Sequence, residues 1–365
     1  MQRLTASTAL PLDFELQSTR SFNRKETTVL SEHCPEHFEL ARKNTPLQKM
    51  PRLSRELGVE IFFKRDDLTG SELSGNKIRK LEFLLADARA KGADTVITCG
   101  GAQSNHCRAT AIAAVRCSMQ ATVLLRTEDP AQPPATTGNI LLDKLVGAEI
   151  VWITPQEYQD IDRIFQRESD RLAGSGRIPC IIPEGGSNHI GCWGYITALR
   201  EIREDLSREG ITDPEGTTVL SATGSGGTTA GLVLGTKLLD LDVDVAGVNV
   251  CDDADYFKNK VSAICRDFSR SYGRDIPVCR DEIRIIDGYV GRGYARSRPE
   301  ELRAIQALAR LEGVILDPVY TGKAFYGLQC ELKKDRNRFG TRIVFIHTGG
   351  IFGLFPCAAQ FEELF

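Results

Sequence analysis

The stretch "DTVITCGGAQSNHCRATAIAAVRC", residues 94–117, decides the fold class. A run of β-branched residues ends on two glycines, a polar triplet follows, and small apolar residues then recur at helical spacing. The pattern predicts a strand, a tight turn and a helix that opens at Gln103. The same grammar continues from Val59 onward. Candidate strands are "VEIFFKR", "ATVLLRT", "AEIVWIT", "PCIIPEG", "TTVLSAT", "DVAGVNV" and "TRIVFIH", with helical stretches such as "NHIGCWGYITALREIREDL" and "RPEELRAIQALARLEG" between them. Nearly continuous apolar strands alternating with helices predict an α/β protein with parallel, twisted sheets covered on both faces. A turn-dense segment, "PEGGSN" at 183–188, marks a boundary. The predicted layout is an irregular extension over 1–44, a large domain from 45–79 and 183–365, and a small α/β domain over 80–182. A ligand cleft is expected between the two domains.

Bulk properties exclude several function classes. A formal net charge of −3 gives no electrostatic case for nucleic acid or anionic membrane. The longest apolar runs are strand-sized, which excludes a helical membrane span. Eleven cysteines are an odd number, scattered and without a C-x-x-C pair. They read as reduced thiols, with neither a disulfide framework nor structural zinc. Asp13, Glu15 and Glu26 oppose a transit peptide, and no apolar signal core follows Met1. The expected compartment is the cytoplasm.

Chemistry enters with "SELSGNKIRKLEFLLADA", residues 71–88. Ile78, Leu81, Leu85 and Ala88 form the buried stripe of an amphipathic helix that stops near Gly92. Lys77 stands at the positive end of that helix, where an ammonium is disfavoured and its pKa falls. A solvated lysine is the plain reading; a free amine able to form a Schiff base is the chemical one. Two further loops bear on the choice. In 99–111, Gly100 and Gly101 bring the backbone close to a helix start bearing Ser104, Asn105 and His106, an arrangement suited to a carboxylate. In "SATGSGGTTAG", 221–231, repeated N–H groups and hydroxyls at a helix start form a phosphate cradle that lacks the P-loop lysine. "LDPVYTGKAFYG" places Tyr320 and Thr321 between a short strand and a helix, and "DGYVGRGY" adds Tyr289 and Tyr294 over the cleft. "FIHTGGIFG" repeats strand, double glycine and helix. An activated lysine, one phosphate cradle, one carboxylate site and nearby phenols together call for pyridoxal 5′-phosphate (PLP) and a small amino-acid substrate.

Four ordered motifs carry a resemblance: "KRDDLTGSELSGNKIRKLEFLLADA", "GGAQSNHCRATA", "TGSGGTTAG" and "LDPVYTGKA". They closely resemble the D-cysteine desulfhydrase / 1-aminocyclopropane-1-carboxylate (ACC) deaminase family from Thr45 to the C-terminus. The resemblance implies the tryptophan synthase β-like fold (fold type II), PLP as cofactor and a homodimer. It makes Lys77 the Schiff-base residue, with Asn76 and Asn105 flanking the cofactor and Lys80 reaching the phosphate. Thr223, Gly224, Ser225, Gly226, Gly227 and Thr228 become the phosphate cradle. Ser104, Asn105 and His106 face the substrate, Ser104 also moving protons, while Tyr294 and Tyr320 become the two active-site tyrosines. Thr321 departs from the glutamate that ACC deaminases carry beside the cofactor's ring nitrogen. A neutral group there weakens the electron sink and favours β-elimination from D-cysteine over ACC ring opening. The other readings are cysteate lysis, with Arg292 and Arg296 binding the anion, a β-substitution enzyme, and a PLP carrier without turnover.

Overall fold

The computed structural model describes residues 34–362 and 364–365. Its strands are β1 (Leu47–Lys49), β2 (Glu60–Lys64), β3 (Thr95–Gly101), β4 (Gln120–Arg126), β5 (Glu149–Ile153), β6 (Pro179–Ile181), β7 (Thr217–Thr223), β8 (Asp244–Asn249), β9 (Arg284–Ile286) and β10 (Arg342–Ile346). They form a six-stranded sheet in the order β1-β2-β10-β7-β8-β9 and a four-stranded sheet in the order β5-β4-β3-β6. Among the described residues only β1 and β2 pair antiparallel; every other pairing is parallel. The four-stranded sheet comes from one continuous stretch, and the larger sheet from strands on both sides of it.

All eight strands read from the apolar runs form. The two that the sequence does not announce, β1 and β9, are three-residue edge strands, too short for any periodic signal. A short strand expected ahead of Tyr320 is absent. Residues 314–317 run without strand pairing into a turn, because the Asp317 carboxylate takes the N–H groups of Val319, Tyr320 and Thr321. The helix expected from Gln103 begins at Asn105, since Ser104 is its N-cap and accepts from Cys107 N at 3.1 Å.

The Lys77 helix (Lys77–Ala90) departs further from expectation. Ile78, Leu81, Leu85 and Ala88 are buried as the stripe requires, against Val96, Ala109 and Ala113. The polar face is buried as well. Arg79, Lys80 and Glu82 are each 1% exposed. Two neighbours cover them. The Trp193–Arg208 helix packs so close that a Cβ on Gly194 would meet Arg79 O at 2.5 Å and Lys80 N at 2.8 Å. On the other side, residues 38–41 dock through backbone N–H groups of Leu40 and Ala41 onto Glu82 Oε1, at 2.7 and 2.8 Å. Residues 34–44 thus run without helix or strand yet lie against this helix; 1–33 of the extension fall outside the described residues.

Beneath the helix lies a compensated ionic cluster. Arg79 makes five hydrogen bonds, to both carboxylate oxygens of Asp66 and of Glu201 and to Thr45 Oγ1, all between 2.8 and 3.1 Å. Lys64 Nζ donates to Asp205 Oδ2 and to Thr45 O, both at 2.7 Å. Tyr195 donates its hydroxyl to Asp66 Oδ2 at 2.6 Å. Burial works against the Asp66 carboxylate, but Arg79 and Tyr195 outweigh it and hold its pKa below the usual range.

Candidate active site

The parallel strands of both sheets point their C-terminal ends at one hollow, where open α/β folds place their ligands. β7 contributes Ala222 and Thr223, β4 its last residue Arg126, and the start of the helix that follows β3 gives Ser104 and His106. Glu184 lies just beyond β6, and Thr348 just beyond β10. The cavity measures about 280 Å³ and opens on Lys77.

Lys77 is the first residue of its helix. Its Nζ donates to Asn76 Oδ1 at 2.9 Å and lies 5.6 Å from the centre of the Tyr320 ring. Burial, helped by the positive charge of Arg108 and only partly offset by Asp317 and Glu184, pushes its pKa down to about 8. About a tenth of the side chain is therefore the free amine at pH 7 and half of it at pH 8, far more than for an ordinary lysine. Asn76 ties it to the cradle, donating from Nδ2 to Thr228 Oγ1 at 3.1 Å.

The cradle follows β7. Gly226 has a left-handed φ of +85°, which turns the chain sharply into the Gly227–Leu238 helix. Gly226 has no side chain to cap that twelve-residue helix, so the N–H groups that follow Gly227 are left for a ligand. Thr223, Gly224, Ser225, Gly226 and Thr228 line the cavity. Gly227 does not; its N–H donates to Ser187 Oγ at 3.1 Å. The side wall is a pair of phenols. Tyr294 and Tyr320 join hydroxyl to hydroxyl at 2.5 Å, and burial pushes both phenol pKa values up, so both stay neutral. Ser104 is 4% exposed. His106 is buried and packs its Nε2 at 2.8 Å from Thr98 Oγ1. The Thr98 hydroxyl gives its proton to Ile182 O at 2.8 Å, which leaves Nε2 as the donor in the pair. Burial, with the charges of Lys77 and Lys80, drives the His106 pKa well down and keeps the ring neutral.

Several expected residues stand elsewhere. Lys80 is behind the cavity wall, its Nζ 3.1 Å from Gly185 O and 3.5 Å from Ser187 Oγ. Asn105 is held by Asn139, which donates from Nδ2 to its Oδ1 at 3.0 Å, and it does not line the hollow. Thr321 is fully buried and turned to Asp317, donating to Oδ1 at 2.6 Å and accepting from its N–H at 2.9 Å. Tyr289 is a core residue whose hydroxyl donates to Glu331 at 2.6 Å. Arg292 and Arg296 are exposed around a separate surface hollow, because the loop places Tyr294 inward and these two outward.

Sequence reasoning missed a polar cluster opposite the lysine. Arg126 pairs with Glu184 at 3.2 Å, and Tyr158 donates to Glu184 Oε2 at 2.6 Å. The Arg126 guanidinium lies 3.9 Å from the Tyr158 ring centre and 5.5 Å from that of Tyr294. Its signal was available, since Arg126 ends an apolar strand and Glu184 sits in the loop read only as a boundary. Lys260, from the helix at Ala254–Ser271, also faces the cavity beside Gly226. Among the described residues no group of three or more metal-ligating side chains gathers, and no helix is long and apolar enough to cross a membrane.

Residues 38–349 match the model of a family described as pyridoxal-phosphate dependent enzymes. The chain belongs to that family. It is 40% identical over its whole length to a mitochondrial bifunctional D-cysteine desulfhydrase/1-aminocyclopropane-1-carboxylate deaminase of Arabidopsis thaliana, covering 90% of that protein. A D-cysteine desulfhydrase of Yersinia pestis is 39% identical over 88% of this chain and 96% of its own. A crystal structure of an ACC deaminase homologue superposes with a TM-score of 0.83 at 36% identity, covering 94% of this chain and all of that one. A threonine deaminase at 19% identity and TM-score 0.59 shares the fold alone. The fold is the two-sheet type II architecture of these enzymes, and the cofactor is PLP. The donor set fits it: a glycine-led helix start with hydroxyls suits the phosphate, and an amine of lowered pKa suits the aldehyde.

Proposed function

We propose that this PLP-dependent lyase carries out α,β-elimination on D-cysteine, giving pyruvate, ammonia and hydrogen sulfide with one water consumed. The observation that carries the reading is the neutral wall after Tyr320. Thr321 spends its hydroxyl on Asp317 and presents no carboxylate to the cavity. PLP, held at Lys77, supplies an electron sink for the substrate's α-carbon. ACC has no α-hydrogen and needs a strong sink to open its ring. A thiol on Cβ departs as the α-proton is lost, so a weak sink suffices.

The chain's own groups divide the work. The N–H groups opening the Asn105 helix, with the Ser104 hydroxyl, bind the substrate carboxylate. Lys77 Nζ, an amine whose pKa burial lowers, receives the α-proton where that proton faces it. The neutral pair Tyr294–Tyr320 closes the side wall and donates towards the departing sulfur. Arg126, the guanidinium facing Lys77, is already matched by Glu184, and Lys260 stands beside Gly226 at the cradle, which favours cysteine over cysteate. The names of the Arabidopsis and Yersinia relatives support the D configuration. We further propose a cytoplasmic homodimer built from the two domains described for the sequence.

The test is an assay of the PLP-loaded protein with D-cysteine, L-cysteine, cysteate and ACC. Equal amounts of sulfide and pyruvate from D-cysteine, with no 2-oxobutanoate from ACC, are expected. Faster turnover of ACC or cysteate overturns the assignment.

A further inference from the structure

Lys323 is a lysine that the reaction above does not use. It is fully buried, three residues after Tyr320 on the Thr321–Lys334 helix. Among the described residues its ammonium has no carboxylate within ion-pair distance. It donates instead to three backbone carbonyls: Val290 O and Gly293 O at 2.6 Å, and Arg296 O at 3.2 Å. Three N–H donors meet three acceptors, which satisfies the ammonium completely.

All three carbonyls belong to one loop, and that loop carries Tyr294. It has little to hold it by itself. Its internal backbone bonds are Gly293 N to Val290 O at 3.4 Å and Arg296 N to Gly293 O at 3.2 Å. Gly291, Gly293 and Ala295 sit at φ of +71°, +117° and +58°. Left-handed backbone at three positions in five costs conformational energy, most for Ala295, which has a Cβ. The turns direct carbonyl oxygens towards a common point, where without a cation they would repel one another. The Lys323 ammonium occupies that point. Tyr320 is the N-cap of the same helix, and its hydroxyl meets that of Tyr294. One short helix therefore sets both phenols, one through its N-terminus and the other through a buried charge.

We propose that Lys323 is the positioning residue for Tyr294: an internal cation that gathers the 290–296 carbonyls and so fixes the phenol against the cavity. The inference rests on the reading of that cavity as the amino-acid site. Its consequence is that Lys323 acts on substrate affinity only through Tyr294.

A double-mutant cycle tests this. Lys323→Met keeps the length and removes the charge; Tyr294→Ala removes the group being positioned. Wild type, both single variants and the double variant are prepared with PLP, and the cofactor's visible absorption is titrated with each enantiomer of alanine, which has no leaving group. Lys323→Met is expected to keep the visible band and bind alanine about tenfold more weakly, and to have no further effect in the Tyr294→Ala background. Unchanged affinity in Lys323→Met, or losses that multiply in the double variant, overturns the proposal. Should Lys323→Met fail to fold, Lys323→Ala is measured with and without propylammonium. Recovery by propylammonium and not by sodium supports the internal cation, and no recovery overturns it. If neither alanine enantiomer moves the wild-type band, the substrate reading fails instead. The cycle is then read on the pH titration of the visible band, where the same non-additivity is required.

Discussion

Lys77 and Arg79 stand two residues apart on one helix, and both are cations removed from bulk water. Their surroundings differ in compensation. Arg79 has five hydrogen bonds, four of them to carboxylates. Burial opposes its charge, but Asp66 and Glu201 more than offset that and hold the guanidinium charged. Lys77 has one neutral acceptor, Asn76 Oδ1, and its proton is held loosely. Burial with full compensation yields a fixed structural charge; burial with little compensation yields a reactive amine. The rigid neighbour serves the reactive one, since the cluster under Arg79 anchors the helix that aims Lys77 at the cradle.

The sharpest way to break this contrast is to remove the reactive partner. Lys77→Ala is expected to abolish the visible band of covalently held PLP and all turnover while leaving the cofactor-free chain at least as resistant to heat as wild type, since the cost of the buried ammonium goes with it. A retained band would assign the attachment elsewhere. The reverse change is Arg79→Met, which strips Asp66 and Glu201 of their main counter-ion. It is expected to lower unfolding free energy by about 3–5 kcal/mol in urea titrations, while whatever protein folds still binds PLP. A loss below about 1 kcal/mol would make the cluster ornamental.

The contrast is sharpened by pH. In the cofactor-free chain the pKa of Lys77 is depressed from its ordinary 10.5 to about 8. Between those values the unfolded chain binds the proton and the folded chain does not, so this group's contribution to stability rises with pH across that window. Below pH 8 the full cost of a buried ammonium is present; above 10.5 it is gone. The same pKa governs cofactor capture. Stopped-flow uptake of PLP is expected to quicken by about tenfold per pH unit on the acid side, where the free-amine fraction grows in proportion, and to level off near pH 8. A rate still climbing at pH 10 would mean Lys77 is solvated like any surface lysine.

Much of the fold was legible in local pattern. Eight strands and the helices between them follow from apolar runs and their period, because a strand buried on both faces needs a continuous apolar sequence. The edge strands β1 and β9 were illegible because three residues paired on one side carry no such demand. The cavity lining was legible where glycine and polar residues break the pattern: Lys77, Ser104, Thr223 to Gly226, and Thr228. It was misread where a side chain's direction decides its role. Thr321, Lys80 and Asn105 lie beside cavity residues in the sequence, but the Thr321 hydroxyl is spent on Asp317, Lys80 Nζ on Gly185 O, and Asn105 Oδ1 on Asn139.

The amino-acid sequence by itself determined the parallel α/β class and the family, and it singled out Lys77 as the lysine proposed to hold PLP, because periodicity and short glycine-bearing motifs are local properties. Only the tertiary structure decided that the Lys77 helix is buried on its polar face. Only there do Arg126, Tyr158 and Glu184 meet across 58 residues of chain, and only there does Lys323 fasten the loop of Tyr294. Hydrogen bonds and ion pairs between distant segments depend on where the folded backbone delivers each side chain, and no spacing along the chain encodes that.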